Sequence, residues 1–392
     1  MPADYNHTGF LTALILVLMA TLPVTGQEAD RKVELSGYIK DLQNTWMNAS
    51  SEWISWNDLH NRLNLTYRAS DKISANIGIR NNMVWGQLTS EFFKSIPGYL
   101  EMEEYDPGYL DLHWVPVHNH SMVLKTRLDR LNVGYAGHQF NIRAGRQRIN
   151  WGTCLVWNPN DIFNSYSYFD FDYEERPGSD AVRLEYFTGT ASSAELVTSL
   201  NHQGRPTFAG LYRFNLSNYD FQVFAGKTPD DYIAGLGWAG QISGAGFRGE
   251  ATGFIPGTSE SETVIIASVD ADYTFKNGFY LHAAGLYNSS GTPGNAGRGP
   301  VFMLSDLSVK SLTLARFSVF GQAGYPVSPV LTANLVSMYN PSDQSVFFSP
   351  SVDVSLSDDM GFLALVQLFD GLTGTEFGGL GKILYFRFKY SF

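Results

Sequence analysis

Along most of the chain, apolar and polar residues alternate one by one. In the last stretch Leu384, Phe386, Phe388, Tyr390 and Phe392 fall on one side, and Tyr385, Arg387, Lys389 and Ser391 on the other. The same period sets Leu63, Leu65 and Tyr67 against Arg62, Asn64, Thr66 and Arg68, and Ile73, Ala75, Ile77 and Ile79 against Ser74, Asn76, Gly78 and Arg80. It also separates Val182, Leu184 and Tyr186 from Arg183 and Glu185, and Ile265, Ala267, Val269, Ala271 and Tyr273 from Ser268, Asp270 and Asp272. A helix repeats every 3.6 residues, whereas a strand changes face at each residue. Soluble strands alternate too, but consecutive same-face aromatics such as Phe386, Phe388, Tyr390 and Phe392 suit a strand whose outer face meets lipid.

The pattern predicts strands over 33–41, 59–69, 73–86, 121–134, 138–148, 179–188, 193–201, 205–214, 218–227, 230–240, 245–254, 262–275, 278–288, 312–323, 329–340, 343–356, 360–370 and 380–392. These are about eighteen, and bacterial outer-membrane barrels carry an even number. Every second connection is short, as at Ala69 to Lys72, Tyr135 to His138, Asn215 to Asn218 and Gln241 to Gly244. The others are generally longer, as at 42–58, 87–120, 149–178, 289–311 and 371–379. Short periplasmic turns alternating with longer outer loops are the barrel arrangement. The expected fold is therefore all-β: one closed antiparallel transmembrane β-barrel of about 16–18 strands, with both ends in the periplasm.

Composition agrees with this reading. The chain is 44% hydrophobic and 14% aromatic, with 38 Gly, as expected when strands need apolar residues only at alternate positions. No later stretch offers the roughly eighteen consecutive apolar residues of a spanning helix. Phe10 to Leu22 is apolar but short, and Pro23 and Val24-Thr25-Gly26 follow it. Residues 1–26 thus read as a signal peptide cut before Gln27, although Asp4 and His7 precede the apolar run without any Lys or Arg. The expected organisation is a signal peptide over 1–26 and a barrel over 27–392, with no room for an energised-import plug. The single Cys154 excludes an intrachain disulfide, and its distance from the cut argues against a lipid anchor. The net charge of −11 gathers in expected loops, including Glu101 to Asp106 and Asp170 to Glu175. Nucleic acid, which needs a basic stripe, is excluded as a partner.

Chemistry-bearing motifs are scarce. There is no Gly-x-Ser-x-Gly elbow and no His-Glu-x-x-His. Glu101 to Asp106 lacks calcium-loop spacing, and His118 and His120 read as a solvated loop pair. No catalytic residue, cofactor or metal is expected, leaving a Ser-His-acid set assembled from separate loops as a minor alternative. The aromatics Trp46, Trp53 and Trp56 in the first outer loop, and Tyr166, Tyr168, Phe169, Phe171 and Tyr173 in the third, suit either an interfacial girdle or a sugar-stacking platform.

The densest motif is AGRQRINWGTCLVWNPND at 144–161. Gly145 permits close backbone approach. Parity puts Arg143 and Gln147 on the lumen side and Arg146 outside, unless a bulge or inward turn intervenes. Alternatively, Arg146 and Arg148 pair with Asp161, Asp170 or a lipopolysaccharide phosphate and hold the loop. Through Gly145, Arg146, Gln147, Trp151 and Gly152, followed by Asn158, Pro159 and Asp161, the segment resembles the Gram-negative family of outer-membrane porins related to alginate-export-type barrels, its Bacteroidota-type versions most. The resemblance implies a channel-type barrel with an inward-leaning loop. It does not imply alginate, and Cys154 and the acidic-aromatic stretch Tyr166 to Glu175 depart from the family pattern. Phe392 resembles the signal read by barrel assembly machinery.

The lumen face is expected to be basic. Arg127, Arg183 and Arg248 each have an acid two residues away (Asp129, Glu185 and Glu250), whereas Arg62, Arg68, Arg80, Arg143, Arg213 and Arg316 have none. An uncompensated Arg ladder, with Gln147, would favour anions, because charged linings set selectivity. The expected function is passive or facilitated passage of small hydrophilic, anionic or sugar-like solutes across the outer membrane. Its surroundings would be outer-membrane lipid and lipopolysaccharide, and a homo-oligomer is an open possibility. The alternative is a non-conducting barrel that serves as receptor or scaffold for surface polysaccharide or a partner protein.

Overall fold

The computed structural model describes residues 32–48, 51–87, 106, 108–119, 121–164, 176, 178–258, 262–297 and 308–392. The expected signal peptide, His120 and the Tyr166 to Glu175 stretch lie outside the described residues. The strands are β1 Val33–Met47, β2 Trp53–Arg68, β3 Ile73–Gly86, β4 His113–His118, β5 Met122–Ala136, β6 Phe140–Gln147, β7 Ser179–Gly189, β8 Ser192–Leu200 and β9 Pro206–Leu216. They continue as β10 Tyr219–Lys227, β11 Asp231–Ile242, β12 Ala245–Pro256, β13 Val264–Thr274, β14 Tyr280–Asn288, β15 Phe317–Ser328, β16 Leu331–Asn340, β17 Ser345–Ser355, β18 Met360–Asp370 and β19 Lys382–Ser391.

Each strand pairs antiparallel with its chain neighbours, except that β3 pairs with β5 across β4. β1 pairs with β19 from Tyr38↔Ser391 to Met47↔Lys382, so the sheet closes into an 18-stranded barrel, with the short β4 as an addition. Closure pairs the edges that β1 and β19 would otherwise leave open. At the seam Phe392 N–H donates to Gly37 O at 3.0 Å, and Gly37 N–H donates to Phe392 O at 2.9 Å. The Phe392 ring crosses Gly37, where a Cβ would lie 2.9 Å from Cζ.

Outward residues such as Val133, Leu196, Ile265 and Phe388 are exposed, as a lipid-facing belt requires. Aromatic pairs ring the short-turn end: Tyr135 with Phe140, Phe214 with Phe221, Phe275 with Phe279, and Tyr390 with Phe392, all with centroids within 6.2 Å. Two of the short turns use left-handed residues, Ser217 and Asn218 in one and Ser243 and Gly244 in the other. Such residues match the twist of paired strands.

Three expectations change. The first outer loop is only 48–52, because β1 runs on to Met47 and β2 begins at Trp53. Trp46, Trp53 and Trp56 are therefore wall residues, and Trp46 donates through Nε1 to Leu380 O at 2.6 Å. Second, β4 lies inside the expected 87–120 loop. β6 pairs with β5 only from Leu131 to Ala136, and β4 takes the outer part of that edge, from His113↔Arg127 to His118↔Val123. Third, the inward face is not polar throughout. Val197, Leu211, Phe224, Ile233, Phe254, Ile266, Leu286, Phe320, Met338 and Phe347 form one apolar cluster inside the barrel.

Candidate functional site: the barrel lumen

What covers this inward apolar wall is the chain after β6. Ile149, Trp151, Val156 and Trp157 are buried in the same cluster. The Trp151 ring lies 5.1 Å from Phe163 and 5.3 Å from Phe224, and the Trp157 ring lies 6.3 Å from Phe320. Two carboxylates of the wall receive the loop's backbone donors. Glu250 on β12 accepts from Thr153, from Cys154 at 2.7 Å and from Asn160 at 2.9 Å, while Asp270 on β13 accepts from Leu155 at 2.8 Å. Asn160 donates to Leu236 O at 3.0 Å, and Thr252 donates to Pro159 O at 2.8 Å. Loop 3, residues 148–164 as described, is therefore docked inside the barrel.

The motif residues each have a place in this docking. Gly145 has φ +109, and a Cβ there would sit 2.2 Å from Leu131 O, so glycine alone lets β6 lie against β5. A Cβ on Gly152 would meet Asn158 Oδ1 at 2.2 Å, which explains the close turn of the loop. Asp161 pairs with Arg176, not with Arg148. Arg146 shares the outer side of the wall with Leu131 and Val182 by register, without an inward turn. It is buried there by Asp106 at 2.6 Å, Asp180 at 2.7 Å and Leu110 O at 2.6 Å. Its role is thus to strap residues 106–112 over the wall. Neither Asp161 nor a lumen position receives it. Burial acts to raise the Asp106 carboxyl, but the Arg146 hydrogen bond and the Gly108 and Leu112 N–H groups hold it below its ordinary value.

Pairing revises the expected Arg ladder. Asp129 lies at a register shift between β3 and β5. It binds Arg62 at 2.9 Å and Arg80 at 3.0 Å, not Arg127. Arg62 is 1% exposed and is therefore a wall residue rather than an open charge. Glu195 accepts from Trp151 Nε1 at 2.8 Å, Arg183 at 2.8 Å and Arg213 at 3.1 Å, fixing the root of loop 3 beside two arginines. Arg248 turns to Asp270 at 3.0 Å and Asp272 at 2.5 Å, leaving Glu250 to the loop. Arg68 pairs with Glu34 in the open, a contact worth little. Arg316, just before β15, donates to Gly291 O at 3.3 Å.

The acids sit behind and the arginines in front. Asp129 and Glu195 are essentially buried, whereas Arg183 and Arg213 keep 25% and 32% of their side chains open. Arg143 is exposed and Arg148 half-buried, and neither has a carboxylate within ion-pair distance among the described residues. Together with Arg62, Arg130, Gln147, Asn64, Thr66, Asn76 and Asn132 they line a recess of about 270 Å³. Sequence reading missed Arg130 and Arg148 as members of this group, missed Glu195 as the partner of Arg183 and Arg213, and gave Asp129 to Arg127 rather than to Arg62 and Arg80. The shifted register that brings Arg130 in beside Asp129 leaves no mark in the alternation.

Two expectations follow for the docked loops. Trp151→Ala should cost about 3–5 kcal/mol, the usual range for emptying a buried aromatic site, read as a lower unfolding midpoint of the refolded barrel. Burial lifts Asp161 from 3.8 to about 7 against the opposing Arg176 charge, and burial lifts Glu376 in the 371–381 loop from 4.5 to about 7. A folded carboxyl that holds its proton more tightly than the unfolded one stabilises least once both are ionised. The unfolding midpoint should therefore fall as pH rises from about 4 to 7, then level off. Equal midpoints at pH 5.5 and pH 8 would refute this.

No family model matches the sequence, and no curated protein matches it. Solved structures do share the fold. The outer membrane protein OprD of Pseudomonas aeruginosa superposes with TM-score 0.59 at 8% identity, covering 92% of this chain and 93% of that one. OccAB4 of Acinetobacter baumannii gives 0.57 at 10%, covering 93% and 99%. OccK8 (OprE) of Pseudomonas aeruginosa gives 0.55 at 10%, covering 94% and 99%. The chain thus has the closed antiparallel 18-strand fold of outer-membrane barrels.

Proposed function

We propose that this chain is an outer-membrane, porin-like channel for passive or facilitated diffusion of small hydrophilic solutes, with anionic or sugar-like ones favoured. The observation that carries it is the set Arg143, Arg148, Arg183 and Arg213 on the lumen side of a wall narrowed by loop 3. Barrels of about 16–18 strands are wide enough for an aqueous path, and exposed cations beside a constriction draw anions. The mechanism needs no bond chemistry: the loop limits size, and the arginines select charge. The fold shared with OprD supports placement in the outer membrane. The segment from Gly145 to Gly152, with its resemblance to alginate-export-related porins, supports a channel without specifying alginate. Export through residues 1–26 and recognition of Phe392 by barrel assembly machinery complete this reading.

The refolded chain in a planar bilayer under a KCl gradient should show ohmic steps, with a reversal potential on the chloride side. A potential favouring cations would overturn the selectivity. Silence relieved by deleting 153–175 would identify the rival, a plugged receptor or scaffold barrel.

A further inference from the structure

Within the lumen, the recess between β2, β3, β5 and β6 has a composition of its own. Four guanidinium groups, those of Arg62, Arg130, Arg143 and Arg148, border it. Arg62 is committed to Asp129, and Arg130 donates to the carbonyls of Asp129 and Arg176. Among the described residues Arg143 and Arg148 meet no carboxylate at ion-pair distance. Asp161 is taken by Arg176, and Glu185, the acid near this end of β7, lies 4.0 Å from Arg183. Among the described residues the recess thus carries two guanidinium groups with no carboxylate in contact, Glu185 acting on Arg143 only from beyond ion-pair distance.

A second observation points to a ligand. Gln147 is fully buried and borders the recess, and its Oε1 accepts no hydrogen bond, although its Nε2 donates to Ala181 O at 3.0 Å. Arg148 Nε is likewise buried without an acceptor. Buried polar groups are normally satisfied, and each one left unmet carries a penalty. One wall therefore wants an acceptor anion and also a hydroxyl donor. A run of amides continues it: Thr66 donates to Asn76 at 3.1 Å, Asn76 to Asn132 at 3.2 Å and Asn132 to Arg146 O at 2.8 Å. At about 270 Å³ the recess lies just below the roughly 300–1,000 Å³ range of small-molecule sites.

We infer that this recess is a binding site for hydroxylated phosphate monoesters of monosaccharide size, held between Arg143 and Arg148 with a ligand hydroxyl donating to Gln147. Charge decides between anions. A phosphate monoester carries about −1.5 to −2 near neutral pH and matches both open guanidinium groups, whereas a single carboxylate leaves one unmet. Arginine forks fit phosphate oxygens in bidentate fashion. A neutral sugar leaves both charges unmet and engages only the amides. The site rests on the channel reading for its access to solutes but not for its binding chemistry.

The test uses the full refolded chain with three probes: glucose 6-phosphate, glucuronate and glucose. Calorimetry in detergent micelles measures binding, and interruption of KCl current in a planar bilayer measures residence. Glucose 6-phosphate should bind at least about tenfold more tightly than glucuronate, one charge-assisted contact being worth about that factor, and glucose should not register. Arg143→Gln and Arg148→Gln should each weaken glucose 6-phosphate about tenfold, whereas Arg205→Gln, at the exposed outer rim, should leave it unchanged. Gln147→Leu should weaken glucose 6-phosphate more than inorganic phosphate, which lacks the sugar hydroxyls. Equal or tighter binding of glucuronate or of glucose overturns the proposal even if no variant folds. A chain that conducts yet ignores glucose 6-phosphate overturns the site and leaves the channel standing. A chain that binds it without conducting upholds the site and overturns the channel.

Discussion

Gly145→Val should leave most of the chain unable to fold as a barrel. The residue holds φ +109, and a Cβ would stand 2.2 Å from Leu131 O across the β5–β6 ladder. Valine at such a φ costs on the order of 1–3 kcal/mol in backbone strain, and the clash adds roughly 1–3 kcal/mol more. Neither is readily relieved. Leu131 O belongs to the wall backbone, and moving it would disturb the neighbouring positions at which Asp129 holds Arg62 and Arg80. Gly145 also immediately precedes Arg146, which fastens residues 106–112 to β7 through Asp106 and Asp180. Folded outer-membrane barrels resist detergent until heated, so the fraction that migrates as the compact species on an unheated gel measures the effect. A variant that refolds in wild-type yield would show that β6 can leave β5 at low cost.

Glu250→Ala is the second large expectation, with a different signature. The barrel should form, but loop 3 should leave its wall. Glu250 accepts backbone N–H groups from Thr153, Cys154 and Asn160, which its removal leaves buried and unpaired. Each stranded donor costs about 1–3 kcal/mol, and the total is on the order of 3 kcal/mol or more. The apolar contacts of Trp151 and Trp157 oppose release, so Glu250→Ala combined with Trp157→Ala should release the loop further. Single-channel conductance should rise, while the sign of the reversal potential should hold, because Arg143 and Arg183 lie on other strands. Unchanged conductance in the double variant would mean that loop 3 does not limit the path. Gly37→Val offers a check at the seam: its Cβ would meet Arg62 O at 2.1 Å and the Phe392 ring at 2.9 Å, so closure of β1 on β19 should suffer as at Gly145.

The barrel was legible because lipid enforces a strict rule. Every lipid-facing position must be apolar and every strand must alternate, so Phe386, Phe388 and Tyr390 declare their face without any knowledge of neighbours. Eighteen spanning strands follow from that rule, most within about two residues of their expected bounds, although β15 lies five residues later than expected, at Phe317–Ser328. The rule fails where the chain leaves the lipid. β1 and β2 rise past the apolar belt to Met47 and Trp53, and there Gln43, Thr45, Ser55 and Asn57 carry no alternation. β4 is hidden for the same reason, with Pro116 inside six residues that pair with only one described neighbour.

Charge partners were the least legible. Two residues along a strand is a sequence distance, but the neighbour that satisfies a buried carboxylate sits across the sheet. Asp129 chose Arg62 and Arg80 on two other strands, and Glu250 chose the backbone of a loop about ninety residues away. By itself the sequence determined the alternation and, through it, a strand number near eighteen, because both are local consequences of backbone geometry and of a lipid outer surface, whereas the inward-leaning loop was only what the family resemblance implied. Only the tertiary structure decided which arginines remain open to the lumen and which are spent on buried acids. Register, a one-residue shift at Asp129 and the docking of loop 3 set those pairings, and all three depend on contacts between residues far apart in the chain.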